Sequence, residues 1–262
     1  MPVLLDQKGH VGVVTLSRPQ ARNCWGEDFN REFLDVFQTI NKNESIRSVV
    51  VTGDDAGNAF SAGADLKDPN THATASVADF IKALPDWRDF PVRVVSDCPK
   101  PVIAAVNGYA IGIGCILTYS CDLIIASERA EWRLPQARLG IMPAYGGAVR
   151  LARWVGKGNA MKLAMGYPLP AQEAHRIGLA QWLVPHAELM ATAMEVAENI
   201  AAQPPLSTRL TKESIDRGLD ISNINDASLV DAYRFLVLEL TEDKKEAHEA
   251  WREKRTPRIA GK

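Results

Sequence analysis

Apolar residues follow two rhythms along this chain. Short β-branched runs at Val11-Gly-Val-Val-Thr-Leu16 and Ser48-Val-Val-Val-Thr52, each bounded by Gly, Pro or Asp, predict strands. Between them Phe29, Phe33, Val36, Phe37 and Ile40 recur at helical spacing and predict a helix over 27–42. After a Gly/Asn/Ser-rich loop from Gly53 to about Asn70, the positions of Phe80, Ile81, Leu84 and Trp87 predict a second helical region. The runs Val102–Val106, Leu123–Ala126 and Gln181–Val184 repeat the strand pattern with helices between them, so the chain reads as α/β with parallel strands. From about 186 onward only helices are predicted, broken at Pro204-Pro205 and over 218–225. The expected organisation is a core over 1–200 and a C-terminal helical segment over 201–262.

Composition narrows the classes. At 262 residues, 46% hydrophobic and 24% charged, the chain has the make-up of a globular protein that builds its own core. Thirty Lys and Arg against 32 Asp and Glu, with no long basic run, lack the electrostatic footprint of a nucleic-acid binder. Cys24, Cys98, Cys115 and Cys121 have neither metal-knuckle nor redox-pair spacing, and are expected as free thiols in a reducing, cytoplasmic setting. The first ten residues do not have a signal-peptide pattern. The uncharged stretch from Pro101 to Cys121 is interrupted by Asn107, Gly108, Gly112, Gly114, Thr118 and Ser120, which predicts a buried strand followed by a buried helix rather than a membrane span. No ligand cluster or dinucleotide fingerprint implies a metal or redox cofactor.

Two loops are candidates for chemistry, because each runs from a strand end through glycine into a helix start. They are Phe60-Ser-Ala-Gly-Ala-Asp-Leu-Lys67 and Asn107-Gly-Tyr-Ala-Ile-Gly-Ile-Gly-Cys115. Small residues let a ligand approach the backbone, whose free N–H groups point at negative charge; facing one another, two such loops can form an oxyanion hole. Glycine turns of this kind also occur as plain structural fittings.

Several ordered segments resemble the crotonase superfamily, the enoyl-CoA hydratase/isomerase group, from about Val11 to Pro257. They are Arg18-Pro-Gln-Ala-Arg-Asn23, the loop at 61–66, Lys100 to Ala110, Cys121-Asp122, Leu134-Pro-Gln-Ala-Arg-Leu-Gly140 and Glu253-Lys-Arg-Thr-Pro257. The 100–140 region and the tail are most similar to carnitinyl-CoA dehydratases. The resemblance implies a spiral of β-β-α units followed by C-terminal helices, assembly as a homotrimer or homohexamer, and an acyl-CoA substrate whose coenzyme A is part of the thioester. By motif position it implies backbone oxyanion donors at Ala64 and Ile113. It places coenzyme A near the 20–23 loop and the 62–67 loop, with Arg22, Ala62 and Lys67 as binding residues and Lys254, from a neighbouring subunit or the C-terminal helix, as a further one. Surface charge is the alternative role for each of these cations.

The chain departs from the resemblance where proton transfer is expected. The two glutamates of hydratases fall at Ile116 and Gln136, and neither side chain is a base near neutral pH. A third position, acid or tyrosine in some relatives, is Ala144. Gln136 can still hydrogen-bond a water or a carbonyl, and Tyr145 could donate a proton or face the core. Arg133 and Arg138 could meet a carboxylate or form ordinary salt bridges. His72, Asp79, Asp86 and Asp89 could reach an acyl chain, and Trp25 and Trp87 could shape its pocket or belong to the core. His10, His175, His186 and His248 have no partner nearby in sequence and receive no role. The expected function is a hydratase- or dehydratase-type lyase working through an oxyanion hole without the two glutamates. The alternatives are an acyl-CoA-binding homologue without catalysis, or a crotonase-fold isomerase, decarboxylase or hydrolase.

Overall fold

The computed structural model describes residues 2–67, 76–79 and 90–262, the Glu27 side chain excepted. The helical region expected around Phe80 to Trp87 lies outside the described residues.

The chain opens with strands β1 (Val3–Lys8) and β2 (Val11–Leu16), an antiparallel pair, and helix α1 (Glu27–Lys42). It then lays strands alternately into two sheets. Strands β3 (Ser48–Gly53), β5 (Val102–Val106), β7 (Leu123–Ser127) and β10 (Trp182–Val184) join a six-stranded sheet of order β1-β2-β3-β5-β7-β10. The short strands β4 (Ala59–Ser61), β6 (Tyr109–Ile111), β8 (Glu131–Arg133) and β9 (Leu169–Pro170) make a second sheet, parallel except at β9. Helices α2 (Pro91–Ser96), α3 (Ile113–Thr118), α4 (Gly147–Ala164) and α5 (Ala171–Arg176) lie between the turns. The passes β3-β4, β5-β6 and β7-β8 each add a strand to each sheet before a helix, which is the β-β-α spiral; in the last pass α5 lies between β9 and β10.

Residues buried on both faces explain why the large-sheet strands read as continuous apolar runs: β3 and β5 are buried at every position. One face meets Phe29, Phe33, Phe37 and Ile40 of α1, whose periodicity is helical because this stripe is buried. The other meets Leu189, Ala193, Ala197 and Ala201 of α6 (Leu189–Ala201), whose small side chains let the helix lie close to the sheet. The uncharged stretch after Pro101 is indeed β5 and then α3, which is buried from Gly114 onward. Among the described residues no helix is long and apolar enough to cross a membrane.

Helices α7 (Pro205–Gly218), α8 (Ile224–Glu239) and α9 (Glu242–Glu253) complete the chain. A half-buried ion pair ties α7 to the spiral: Lys212 Nζ donates to Asp122 Oδ2 at 2.7 Å and to the Lys100 carbonyl at 3.2 Å, while the Val102 N–H donates to the same carboxylate oxygen. Burial pushes the Asp122 carboxyl up from its ordinary value, against the opposing pull of Lys212.

All four cysteines are free and buried, and burial pushes the thiols of Cys98, Cys115 and Cys121 above their ordinary values. Titration with a disulfide reagent near pH 8 is expected to find no reactive thiol in the native protein and all four in denaturant.

Candidate active site

The site is built where β4 and β6 end side by side. Gly63 follows β4 with φ +87° and Gly112 follows β6 with φ +58°, conformations that side chains of L-residues rarely adopt. The two glycines also touch. A Cβ on Gly63 would lie 2.7 Å from the Ile111 carbonyl oxygen, and one on Gly112 would lie 3.8 Å from the Gly63 Cα. Gly114 is similarly constrained, since its Cβ would lie 2.6 Å from the Ser61 carbonyl oxygen.

Backbone hydrogen bonds hold the first loop from outside. The Ala62 N–H donates to the Arg22 carbonyl (3.0 Å), Trp25 to the Gly63 carbonyl (2.7 Å) and Asp65 to the Trp25 carbonyl (2.8 Å). On the second loop the Gly112 N–H donates to the Arg133 carbonyl at 2.9 Å, so β8 fixes the entry to α3. The N–H groups of Ala64 and Ile113, by contrast, donate to no acceptor among the described residues. Ala64 is exposed and Ile113 half-buried, so both amides stand beside the abutting glycines without an internal partner.

Gln136 joins this cradle. Its Nε2 lies 3.7 Å from the position of a Cβ on Gly112, and its Oε1 is buried without a hydrogen-bond donor. Ile116 is buried, and its Cδ1 occupies the space a Gly147 side chain would need, with Pro143 alongside. Tyr145 is 38% exposed, sits at φ +55° and stacks on Phe90 with ring centroids 4.1 Å apart. Its hydroxyl makes no hydrogen bond among the described residues.

The proposed coenzyme residues divide. Arg22, Ala62 and Lys67 lie on the two loops joined by the Ala62–Arg22 bond, with Arg22 and Lys67 exposed. Lys254 is exposed at the end of α9, and no bond among the described residues links it to those loops. Trp25 belongs to the core, packed on Phe29 and Phe33 with its Nε1 donating to Asn30, so it does not line the cradle by its ring. Arg133 pairs with Glu131 and lies over the Tyr109 ring, the salt-bridge alternative; Arg138 packs against Gly166. Asp79 is exposed and bonded to Ser76. His72, Asp86, Asp89 and Trp87 lie outside the described residues.

Sequence patterns alone miss the groups that hold these loops. Asn23 is fully buried at φ +54°; its Oδ1 accepts the Arg18 N–H, and its Nδ2 donates to the carbonyls of Asp54 and Ala59. Asparagine immediately after an exposed Arg in the 18–23 turn is the one local signal for this, since Asn tolerates left-handed backbone. Arg18 pairs with Asp65 at 3.2 Å. The Lys67 N–H, and Arg18 nearby, hold the Asp65 carboxyl below its ordinary value. Its contribution is therefore present above the ordinary carboxylate pKa and lost as pH falls through the lowered one. Among the described residues no three His, Cys, Asp or Glu side chains gather as a metal would require.

Against known proteins, residues 6–262 match the family model for enoyl-CoA hydratase/isomerase. The chain is 38% identical over 255 residues to a short-chain-enoyl-CoA hydratase of Clostridium acetobutylicum, covering 97% of this chain and 95% of that one. It is 32% identical over 261 residues to 2,3-dehydroadipyl-CoA hydratase of Escherichia coli, covering 99% of each. The crystal structure of an enoyl-CoA hydratase from Bacillus anthracis superposes with a TM-score of 0.92 at 34% identity, covering all of both chains.

The glycine contacts give a direct test of the site's construction. Gly114→Ala forces a methyl against the Ser61 carbonyl and is expected to cost about 1–3 kcal/mol of stability by urea denaturation.

Proposed function

The chain belongs to the enoyl-CoA hydratase/isomerase family, and from that premise we propose that it is a hydratase- or dehydratase-type lyase whose oxyanion hole polarises an acyl-CoA thioester. The observation that carries this reading is the pair of N–H groups at Ala64 and Ile113, without internal acceptors, on loops whose glycines are in contact. A thioester oxygen receiving both would gain negative charge as the α-carbon becomes enolate-like. Donors fixed in the backbone stabilise that charge without reorganising. Arg22, Ala62 and Lys67 are proposed to hold the coenzyme A portion, with Lys254 contributed across a subunit boundary.

Proton transfer in this reading differs from a two-carboxylate mechanism. Ile116 offers no acceptor, and Gln136 can hold a water or hydroxyl by hydrogen bonds without ionising. The proton is therefore left to a noncarboxylate group such as Tyr145, or to the substrate. A second reading, an acyl-CoA-binding protein without catalysis, is favoured by one observation: the Ile116 side chain is packed into the space over Gly147. The exposed Leu229, Tyr233, Phe235, Leu236, Val237 and Leu240 along and just after α8 support assembly with further copies as a homotrimer or homohexamer.

Short-chain and dicarboxylic enoyl- and 3-hydroxyacyl-CoA esters form the test panel, incubated in heavy water and followed by mass spectrometry. A product differing by one water supports the lyase; deuterium uptake alone indicates isomerisation; no change with retained ester binding indicates the binding-only reading. Ala64→Pro removes an N–H that makes no internal hydrogen bond and is expected to lower the rate about 100- to 1000-fold. Undiminished activity would refute the oxyanion assignment.

A further inference from the structure

Outside the cradle, a hydrogen-bonded chain of Ser127, His186 and Asp55 joins segments far apart in sequence. Ser127 Oγ lies 3.0 Å from His186 Nδ1, and His186 Nε2 lies 3.1 Å from the Asp55 carboxylate, 131 residues away. Ser127 is fully buried and its Oγ also accepts the Arg129 N–H at 3.1 Å, so the hydroxyl is sealed from any substrate and is not a nucleophile. The Asp55 carboxylate can only accept, so the neutral ring donates from Nε2, and Nδ1 is then the acceptor that the Ser127 hydroxyl faces.

Asp55 in turn belongs to the turn from which the candidate site is hung. Asn107, at the start of the second loop, donates from Nδ2 to the Gly53 carbonyl at 3.0 Å and to Asp55 at 3.4 Å. Gly108 lies so close to this turn that a Cβ on it would be 2.7 Å from the Asn58 carbonyl oxygen. On the other side Asp54 accepts the Ser17 hydroxyl at 2.7 Å, and its carbonyl accepts from Asn23, the residue beside Arg22. Burial opposes ionisation of Asp55, but the bonds from His186 and Asn107 hold its carboxyl below the ordinary value, with Arg129 adding positive charge.

We propose that His186 is a positioning residue for acyl-CoA binding, setting the 53–58 turn, and through it the 18–23 loop and the second glycine loop, by its bond to Asp55. This role rests on the acyl-CoA reading above. It acts on the shape of the site and touches no substrate.

The test is calorimetric binding of butyryl-CoA to the wild-type chain, to His186→Leu, His186→Gln and Asp55→Ala, and to the His186→Leu/Asp55→Ala double variant, with the melting temperature of each recorded. Loss of one charge-assisted hydrogen bond is expected to weaken binding about tenfold in His186→Leu and in Asp55→Ala. The double variant should bind no worse than Asp55→Ala, because that substitution already removes the link to His186. Glutamine, which can donate to Asp55 and accept from Ser127, should restore affinity to within about threefold of wild type. Wild-type affinity in both single variants, a change in melting temperature alone, or multiplying losses in the double variant would overturn the proposal. If the wild type binds neither butyryl-CoA nor coenzyme A, the acyl-CoA reading itself fails. Asp55 has a largely exposed side chain, so Asp55→Ala carries the comparison if His186→Leu does not fold.

Discussion

The contact between Gly63 and the Ile111–Gly112 backbone is the constraint on which the rest of the site depends. It is an approach of main chain to main chain, and no side chain fits between. Once it is made, the N–H groups of Ala64 and Ile113 are placed by backbone geometry rather than by side-chain rotamers. That is why isoleucine at 113 is compatible with the arrangement: the group that matters there is shared by every residue except proline. The contact follows from parallel pairing of β4 with β6, strands of only three residues each. Pairing so short has little stability of its own, so it must be enforced from the flanks.

Those flanks explain the architecture. The large sheet supplies rigidity, being sandwiched between the aromatic face of α1 and the alanine face of α6. The 53–58 turn transmits it, since Asp54, Asp55 and Asn58 contact Ser17, Asn23, Asn107, Gly108 and His186 within five residues of chain. The pair of Lys212 with Asp122 performs a comparable task lower in the spiral, fastening the C-terminal helices to the entrance of β5. Removing one member of such a half-buried pair would leave a poorly solvated charge, so the two are conditions of each other's presence.

What could be read from the chain beforehand follows the same division. Strands β2, β3, β5 and β7 are legible because burial on both faces demands a near-continuous run of apolar and small residues, and α1 is legible because one face must be apolar. Strands β4, β6, β8 and β9 are not, because two or three residues carry no periodicity and their pairing is a backbone affair. The glycine loops were visible as composition, while their mutual contact needed coordinates. The role of His186 is not legible in sequence, because its partners stand 59 and 131 residues away and nothing in its own neighbourhood points to them. Trp25 shows the opposite hazard: adjacency to a binding-loop motif suggested a pocket wall, whereas its ring is held by Phe29 and Phe33 one and two helical turns along α1.

Ile116 and Gln136 can be placed on the same physical map. The contacts that build the cradle are made by backbone, so the side chains at these two positions do not decide them. Ile116 fits because Gly147 has no side chain, and its burial contributes apolar packing where an ionised carboxylate would have needed solvent or a partner. Gln136 sets a hydrogen-bonding amide against Gly112, with its Oε1 buried and without a donor among the described residues. On the proposed reading, polarisation of a thioester and transfer of its proton are therefore separable properties of this fold. The first resides in the main chain and needs no carboxylate at 116 or 136; the second resides in side chains. Whatever reaction the site supports must draw its proton acceptor from the substrate, from solvent or from a group that is not a carboxylate at 116 or 136.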